Sequence, residues 1–205
     1  SLRTRAVRQA DGTYRITGNK IFISWGEHEF TDNIIHLVLA RLPDAPAGTK
    51  GISLFLVPKF LVNEDGSLGP RNDLICTVLE HKLGIHASPT CSMSFGEKGG
   101  AIGWLVGEEN RGLNCMFTMM NKARLFTGLQ GVAIGEIAFQ AAHSYAQERK
   151  QGRAPGATGS SSIIEHPDVA RQLATMRALN AATRAVCYVA ASAIDLAHSS
   201  PDEKE

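Results

Sequence analysis

The chain has 205 residues, 43% of them hydrophobic and 20% charged, with a formal net charge of +1. That length suits one large domain or two small ones of ordinary globular composition. A near-neutral charge gives no electrostatic footprint for nucleic acid or acidic lipid, and no apolar run reaches the ~18 residues a membrane span needs.

The N-terminal half reads as short strands. Ser1 to Ala10 holds arginines at Arg3, Arg5 and Arg8 and no acid, yet Arg3 to Val7 alternates. It is therefore a strand rather than a targeting peptide. Asp11-Gly12 turns the chain, and Thr13 to Ile16 and Lys20 to Ser24 alternate on either side of Thr17-Gly18-Asn19, which predicts a tight hairpin. Ile34 to Arg41 and Gly51 to Pro58 are β-branched runs separated by a Pro/Asp/Gly loop, residues 43–48. Asn63 to Asn72 reads as another loop. Leu74 to His81, Ser92 to Phe95 and Ile102 to Val106 complete the set. Many short strands between turn signals argue for a barrel or sandwich.

The pattern changes at Gly107. Glu108-Glu109-Asn110 places acid at a helix start, where the dipole favours it, and no proline follows until Pro155. Gly112 to Lys150 is then one helix near ~57 Å long at 1.5 Å per residue. Residues 151–162, rich in Gly and Ser, read as a flexible loop. Pro167 suits a first helical position, and Val169, Leu173, Met176 and Leu179 mark one face of a second helix reaching about His198. Ser199-Ser200-Pro201 stops it, and the last residues read as solvated. The expected architecture is α+β and multidomain. Residues 1–106 form a β-barrel or sandwich, and residues 107–205 form long helices of an incomplete four-helix bundle. Two long helices hide only one face of each other, so more helices, or a second copy, are expected.

Several features read better as structure than as chemistry. Cys76, Cys91, Cys115 and Cys187 lack paired C-x-x-C spacing and read as buried free thiols in a reducing compartment, with no metal site. Gly128, Gly131 and Gly135 follow no strand, so they mark close helix packing rather than a phosphate loop. His81, His86 and Ser88 show no nucleophile elbow or acid partner.

Gly18-Asn19-Lys20-Ile21-Phe22-Ile23-Ser24, Arg124 in Asn121-Lys122-Ala123-Arg124, and Arg149 in Gln147-Glu148-Arg149 occur in an order that resembles the acyl-CoA dehydrogenase family of flavoenzymes. The likeness runs from Leu2 to about His198. Gly84-Ile85-His86-Ala87-Ser88-Pro89-Thr90 and Gly103-Trp104-Leu105-Val106-Gly107-Glu108 resemble the longer subgroup that includes methylthiopropionyl-CoA dehydrogenases.

The resemblance implies a middle β-barrel domain and the first helices of the C-terminal bundle. It implies an FAD-dependent enzyme that oxidises an acyl-CoA thioester between Cα and Cβ and passes electrons to an electron-transfer flavoprotein. It places Phe22, Ile23 and Ser24 against the flavin ring, Asn121 and Arg124 at the substrate, and Arg149 on the flavin pyrophosphate across a homo-oligomer interface. Where some relatives carry the catalytic Glu, this helix has Ala123, and Glu136 reads as a packing or surface carboxylate. The base is therefore expected as a Glu beyond Glu205, and a flavin-binding loop before Ser1. On that reading this segment alone is inactive and holds FAD weakly or not at all. Cytoplasmic location is implied, mitochondrial in a eukaryote. The alternatives are an alkylation-response-type flavoprotein that binds DNA or another partner, and an acyl-CoA oxidase.

Overall fold

The computed structural model describes residues 2–199. It forms two compact units, one ending at Met119 and one starting at Met120, each described by itself.

The first unit contains nine strands among the described residues: β1 (Arg5–Arg8), β2 (Tyr14–Ser24), β3 (Ile35–Ala40), β4 (Ser53–Pro58), β5 (Phe60–Val62), β6 (Leu68–Arg71), β7 (Leu74–Leu79), β8 (Thr90–Phe95) and β9 (Ala101–Val106). The main sheet runs β3-β4-β9-β2-β8-β7, with β1 on β2. β1 also reaches β3: Ala6 N donates to Arg41 O and Arg41 N to Thr4 O, both at 3.0 Å. The ring β1-β2-β9-β4-β3 is thereby closed into a small barrel, which removes the edges an open sheet would expose. β5 and β6 form a separate two-stranded ribbon. Inside lie Ile16, Phe55, Val57, Leu74 and Met93, each at most 1% exposed. Burying each such side chain stabilises the fold by about 1.5–3 kcal/mol before entropy is counted.

Three expectations fail in this unit. There is no hairpin at residues 17–19, because β2 is one strand of 11 residues. Its first half pairs with β1 and β9 and its second half with β8. Gly18 is needed for that change of partner, not for a turn. Its φ is +135°, and a Cβ there would lie 2.9 Å from the Thr4 Cα. The segment 63–72 is not all loop, since β6 lies within it. Asn72 at its end is the buried clasp of the sheet. Its Nδ2 donates to Pro58 O and Ile102 O at 2.9 and 2.8 Å, and its Oδ1 accepts from Ile102 N at 2.8 Å. Finally, Glu109 does not serve the helix dipole. α1 (Gly112–Glu148) has no acid in its first turn. Glu109 instead accepts two bonds of 2.7 Å from Arg8 and one of 2.9 Å from the Tyr14 hydroxyl.

The second unit holds the rest of α1 and α2 (Pro167–Ser199). Ser199, expected in the stop, is helical, and the rest of that stop (Ser200-Pro201) and the predicted solvated tail, Asp202 to Glu205, lie outside the described residues. Gly135 admits Asn180, whose Oδ1 would be 2.9 Å from a Cβ at that position, and Gly128 faces Cys187 Sγ at 3.5 Å. Gly131 has open space beside it. The buried stripe of α2 runs through Leu173 and Asn180, whereas Leu179 is 63% exposed. The fourth position of the expected face is therefore taken by an amide that bonds to α1. The connection between the helices is tied down rather than loose. Ile163 N donates to Arg149 O at 2.8 Å, Gln151 N to Ser161 O at 3.0 Å, and the His166 ring meets Gln151 O at 2.8 Å. Of the four free cysteines only Cys91 is fully buried, and the other three are half-buried.

Candidate active site

The end of β2 has an unusual presentation. Its register against β8 shifts between Lys20 and Ile23, which is a bulge. Phe22 sits there at φ 59°, a left-handed conformation that costs a non-glycine residue energy. Trp25 follows at φ 55° and is held by its N–H on Pro89 O at 2.8 Å. Phe22 is consequently turned outward and is 68% exposed, while Ile23 packs on the core. Ser24 is exposed, pairs with Thr90, and its hydroxyl has no hydrogen-bond partner within the described residues. Gly26 behind it is buried because a Cβ would meet Met93 Sδ at 3.0 Å and Cys91 Cβ at 3.1 Å. The strand thus offers an aromatic face and a spare hydroxyl on a rigid support.

Ile23, Ser24 and Trp25 border a cavity of about 460 Å³ that opens between β2, β3 and the start of α1. Its walls include Leu37, Leu54, Phe95, Met116 and Met119, with Lys20 and His36 as polar members. Lys20 Nζ donates to Leu39 O at 2.7 Å, and burial pushes the amine down to about 8. His36 is 7% exposed and stands edge-on to Phe95 at 5.9 Å. Among the described residues its Nε2 has no partner, and burial pulls the imidazole below its ordinary value. Sequence reading passed over Lys20 and His36. A histidine inside the apolar run Ile34-Ile35-His36-Leu37-Val38-Leu39 was the available signal.

The loop between β7 and β8 lies in the same unit. Lys82 Nζ donates to Ile85 O and Ser88 O at 2.7 and 2.5 Å and so shapes the turn around Ile85, whose φ is 55°. The His81 and His86 rings are 6.5 Å apart.

The other predicted residues belong to the second unit. Asn121 and Arg124 are exposed on α1, and Ala123 between them is exposed as well. Its carbonyl accepts from Thr127 Oγ1 at 3.0 Å. Arg149 lies just past the end of α1 and donates to Gln151 Oε1 at 3.3 Å. Glu136 is fully engaged. It accepts from Gln140 at 3.0 Å, Asn180 at 2.6 Å and Arg184 at 2.7 Å. The Gln140 bond, and with it Arg184 and Asn180, holds its carboxyl below the ordinary carboxylate value. A carboxylate so committed is a helix clamp and a poor proton acceptor. Among the described residues no helix is long and apolar enough to cross a membrane.

Comparison with known proteins bears on this arrangement. Residues 110–204 match the family model for the acyl-CoA dehydrogenase C-terminal domain. The chain is 52% identical to 3-methylmercaptopropionyl-CoA dehydrogenase of Ruegeria pomeroyi, over 98% of this chain and 34% of that protein. It is 43% identical to a butyryl-CoA dehydrogenase of Syntrophomonas wolfei, over 95% of this chain and 33% of that protein. The structure of butyryl-CoA dehydrogenase from Megasphaera elsdenii superposes with a TM-score of 0.69 at 27% identity, covering 91% of this chain and 43% of that one. The chain spans about a third of the length of the curated relatives it matches.

Proposed function

The chain belongs to the acyl-CoA dehydrogenase family, and we propose that the protein catalyses FAD-dependent α,β-dehydrogenation of an acyl-CoA thioester. The observation that carries this reading is the bulged end of β2. It exposes the Phe22 ring and leaves the Ser24 hydroxyl without a partner among the described residues, beside a largely apolar cavity. These residues fit an isoalloxazine: a flat apolar ring wants a flat wall, and its edge wants one directed donor. FAD, when bound, supplies the acceptor for the hydride that leaves Cβ. Phe22 and Ile23 would exclude water from that ring, and Ser24 would donate to its edge. The backbone strain at Phe22 is what aims the ring outward.

Arg124 and Asn121 on α1 bind and orient the acyl-CoA. Arg149 serves the flavin pyrophosphate of a neighbouring copy, which makes the working form a homo-oligomer. Abstraction of the α proton needs a carboxylate within hydrogen-bond reach of Cα. Ala123 cannot provide it, and Glu136 is held by Asn180 and Arg184. The base is therefore assigned to a Glu outside residues 1–205. The proposed acceptor is an electron-transfer flavoprotein, and the proposed location is the cytoplasm, or the mitochondrion in a eukaryote.

The test is the flavin itself. The full-length protein should carry FAD in proportion to chains, and Ser24→Ala and Phe22→Ala should each loosen it by about tenfold, roughly one lost hydrogen bond or stacking contact. A full-length protein that stays colourless after incubation with FAD contradicts the proposal.

A further inference from the structure

Among the described residues, the cavity between β2 and β3 holds a positive charge with no carboxylate on its walls. Lys20 is half-buried and its ammonium donates to the carbonyl of Leu39 at 2.7 Å. The groups that face it are Ser24 from β2, His36 from β3 and Cys115 from α1. Burial pushes the Lys20 amine down to about 8. Glu27 acts on His36, but its two oxygens are engaged by Lys59 and Arg71. His36 also lines the cavity, but its Nε2 is itself shut off from solvent, so the ring meets the cavity through its other atoms.

An ammonium taken from water without a counter-ion is costly. A ligand that brings the missing acceptor offsets that cost. The rest of the wall is aliphatic and aromatic: Ile23, Leu37, Leu54, Phe95, Met116 and Met119. The volume of about 460 Å³ is in the range of small-molecule pockets.

We infer that this cavity binds an aliphatic carboxylate, with its head accepting from Lys20 beside the His36 ring, and its chain lying along the apolar wall. The site shares Ile23 and Ser24 with the flavin wall, but it goes beyond the dehydrogenase reading and stands without it. Free carboxylate is a different chemical species from the thioester, so occupancy here would report on, or compete with, the adjoining site.

Titration of the full-length protein with octanoate and with 1-octanol tests this, followed by heat of binding and by the His36 imidazole proton signals. Octanoate should bind at least about tenfold more tightly than octanol, a difference of about 1.4 kcal/mol. It should shift the His36 signals. Its affinity should fall as pH rises through about 8, because the deprotonated amine no longer attracts the head. Lys20→Met should bring octanoate down to the level of octanol, and Lys20→Arg should keep the preference. Should Lys20→Met unfold, as judged by circular dichroism, Lys20→Arg and the pH series carry the test. Equal binding of the two probes overturns the inference. So does octanoate binding that leaves His36 unmoved and ignores pH, which is the behaviour of a carboxylate seated in an acyl-CoA site elsewhere. Flavin bleaching by acyl-CoA is read separately and does not depend on either outcome.

Discussion

At the scale of single residues, conformation and charge decide more than residue type. Phe22 is held at φ 59° with two-thirds of its surface in solvent. Such a residue costs about 1–2 kcal/mol relative to glycine at the same angles. Phe22→Gly should therefore raise the unfolding midpoint of the flavin-free protein while lowering its affinity for FAD. Calorimetry and flavin fluorescence would show the two effects moving in opposite directions. Gly18 gives the converse case. Gly18→Ala forces a Cβ to 2.9 Å from Thr4 and keeps φ at +135°, so it should destabilise by about 1–3 kcal/mol in a denaturant titration. Glu136 tests the clamp. Its carboxyl is held below the ordinary value of 4.5, first by Gln140 and then by Arg184 and Asn180. Its contribution is therefore present above that value and is lost as pH falls through the lower folded value. The stability difference between wild type and Glu136→Gln should be present at neutral pH and vanish under acid. Wild-type bleaching by acyl-CoA should survive the change.

At the scale of elements, the strands and both helices could be read because their signals are local. β3, β4, β7 and α1 follow from β-branched runs, turn residues and a long proline-free stretch. β2 could not be read correctly. Thr17-Gly18-Asn19 has the chemistry of a tight turn, and only the approach of Thr4 from β1 reveals why Gly18 is there. The role of Glu109 was equally hidden. Acid before a helix suggests a dipole contact, but Arg8 and Tyr14, about a hundred residues away in sequence, claim it. On α2 a period of 3.6 selected Leu179, whereas the neighbouring Asn180 faces α1 and bonds to Glu136. Periodicity finds apolar stripes and is blind to a buried amide. For the site, the resemblance singled out Phe22, Ile23 and Ser24 because they are contiguous. It passed over Lys20 and His36, since their meeting depends on how β2 and β3 flank one cavity.

At the scale of the molecule, the helices carry apolar residues that neither covers. Ile134, Ile137, Val186 and Val189 are each more than 60% exposed. This chain by itself should therefore self-associate, and sedimentation at tens of micromolar should show species larger than a monomer. A clean monomer would argue against the interface role of Arg149. The assignment of the base to a Glu outside this chain rests on Ala123 and on the engagement of Glu136. Changing that outside Glu to Gln should abolish acyl-CoA-dependent bleaching, and adding Ala123→Glu to the dead variant should return part of it. The new side chain is itself exposed to a packing cost of about 1–3 kcal/mol if it meets a neighbour. The most direct measurement is anaerobic mixing of the full-length protein with acyl-CoA, with flavin absorbance recorded before and after. Bleaching of a stoichiometric flavin, lost in the Glu→Gln variant and retained in Glu136→Gln, is the result expected. A protein that holds FAD but whose flavin does not change with any acyl-CoA, or one bleached at the wild-type rate by the Glu→Gln variant, would contradict it.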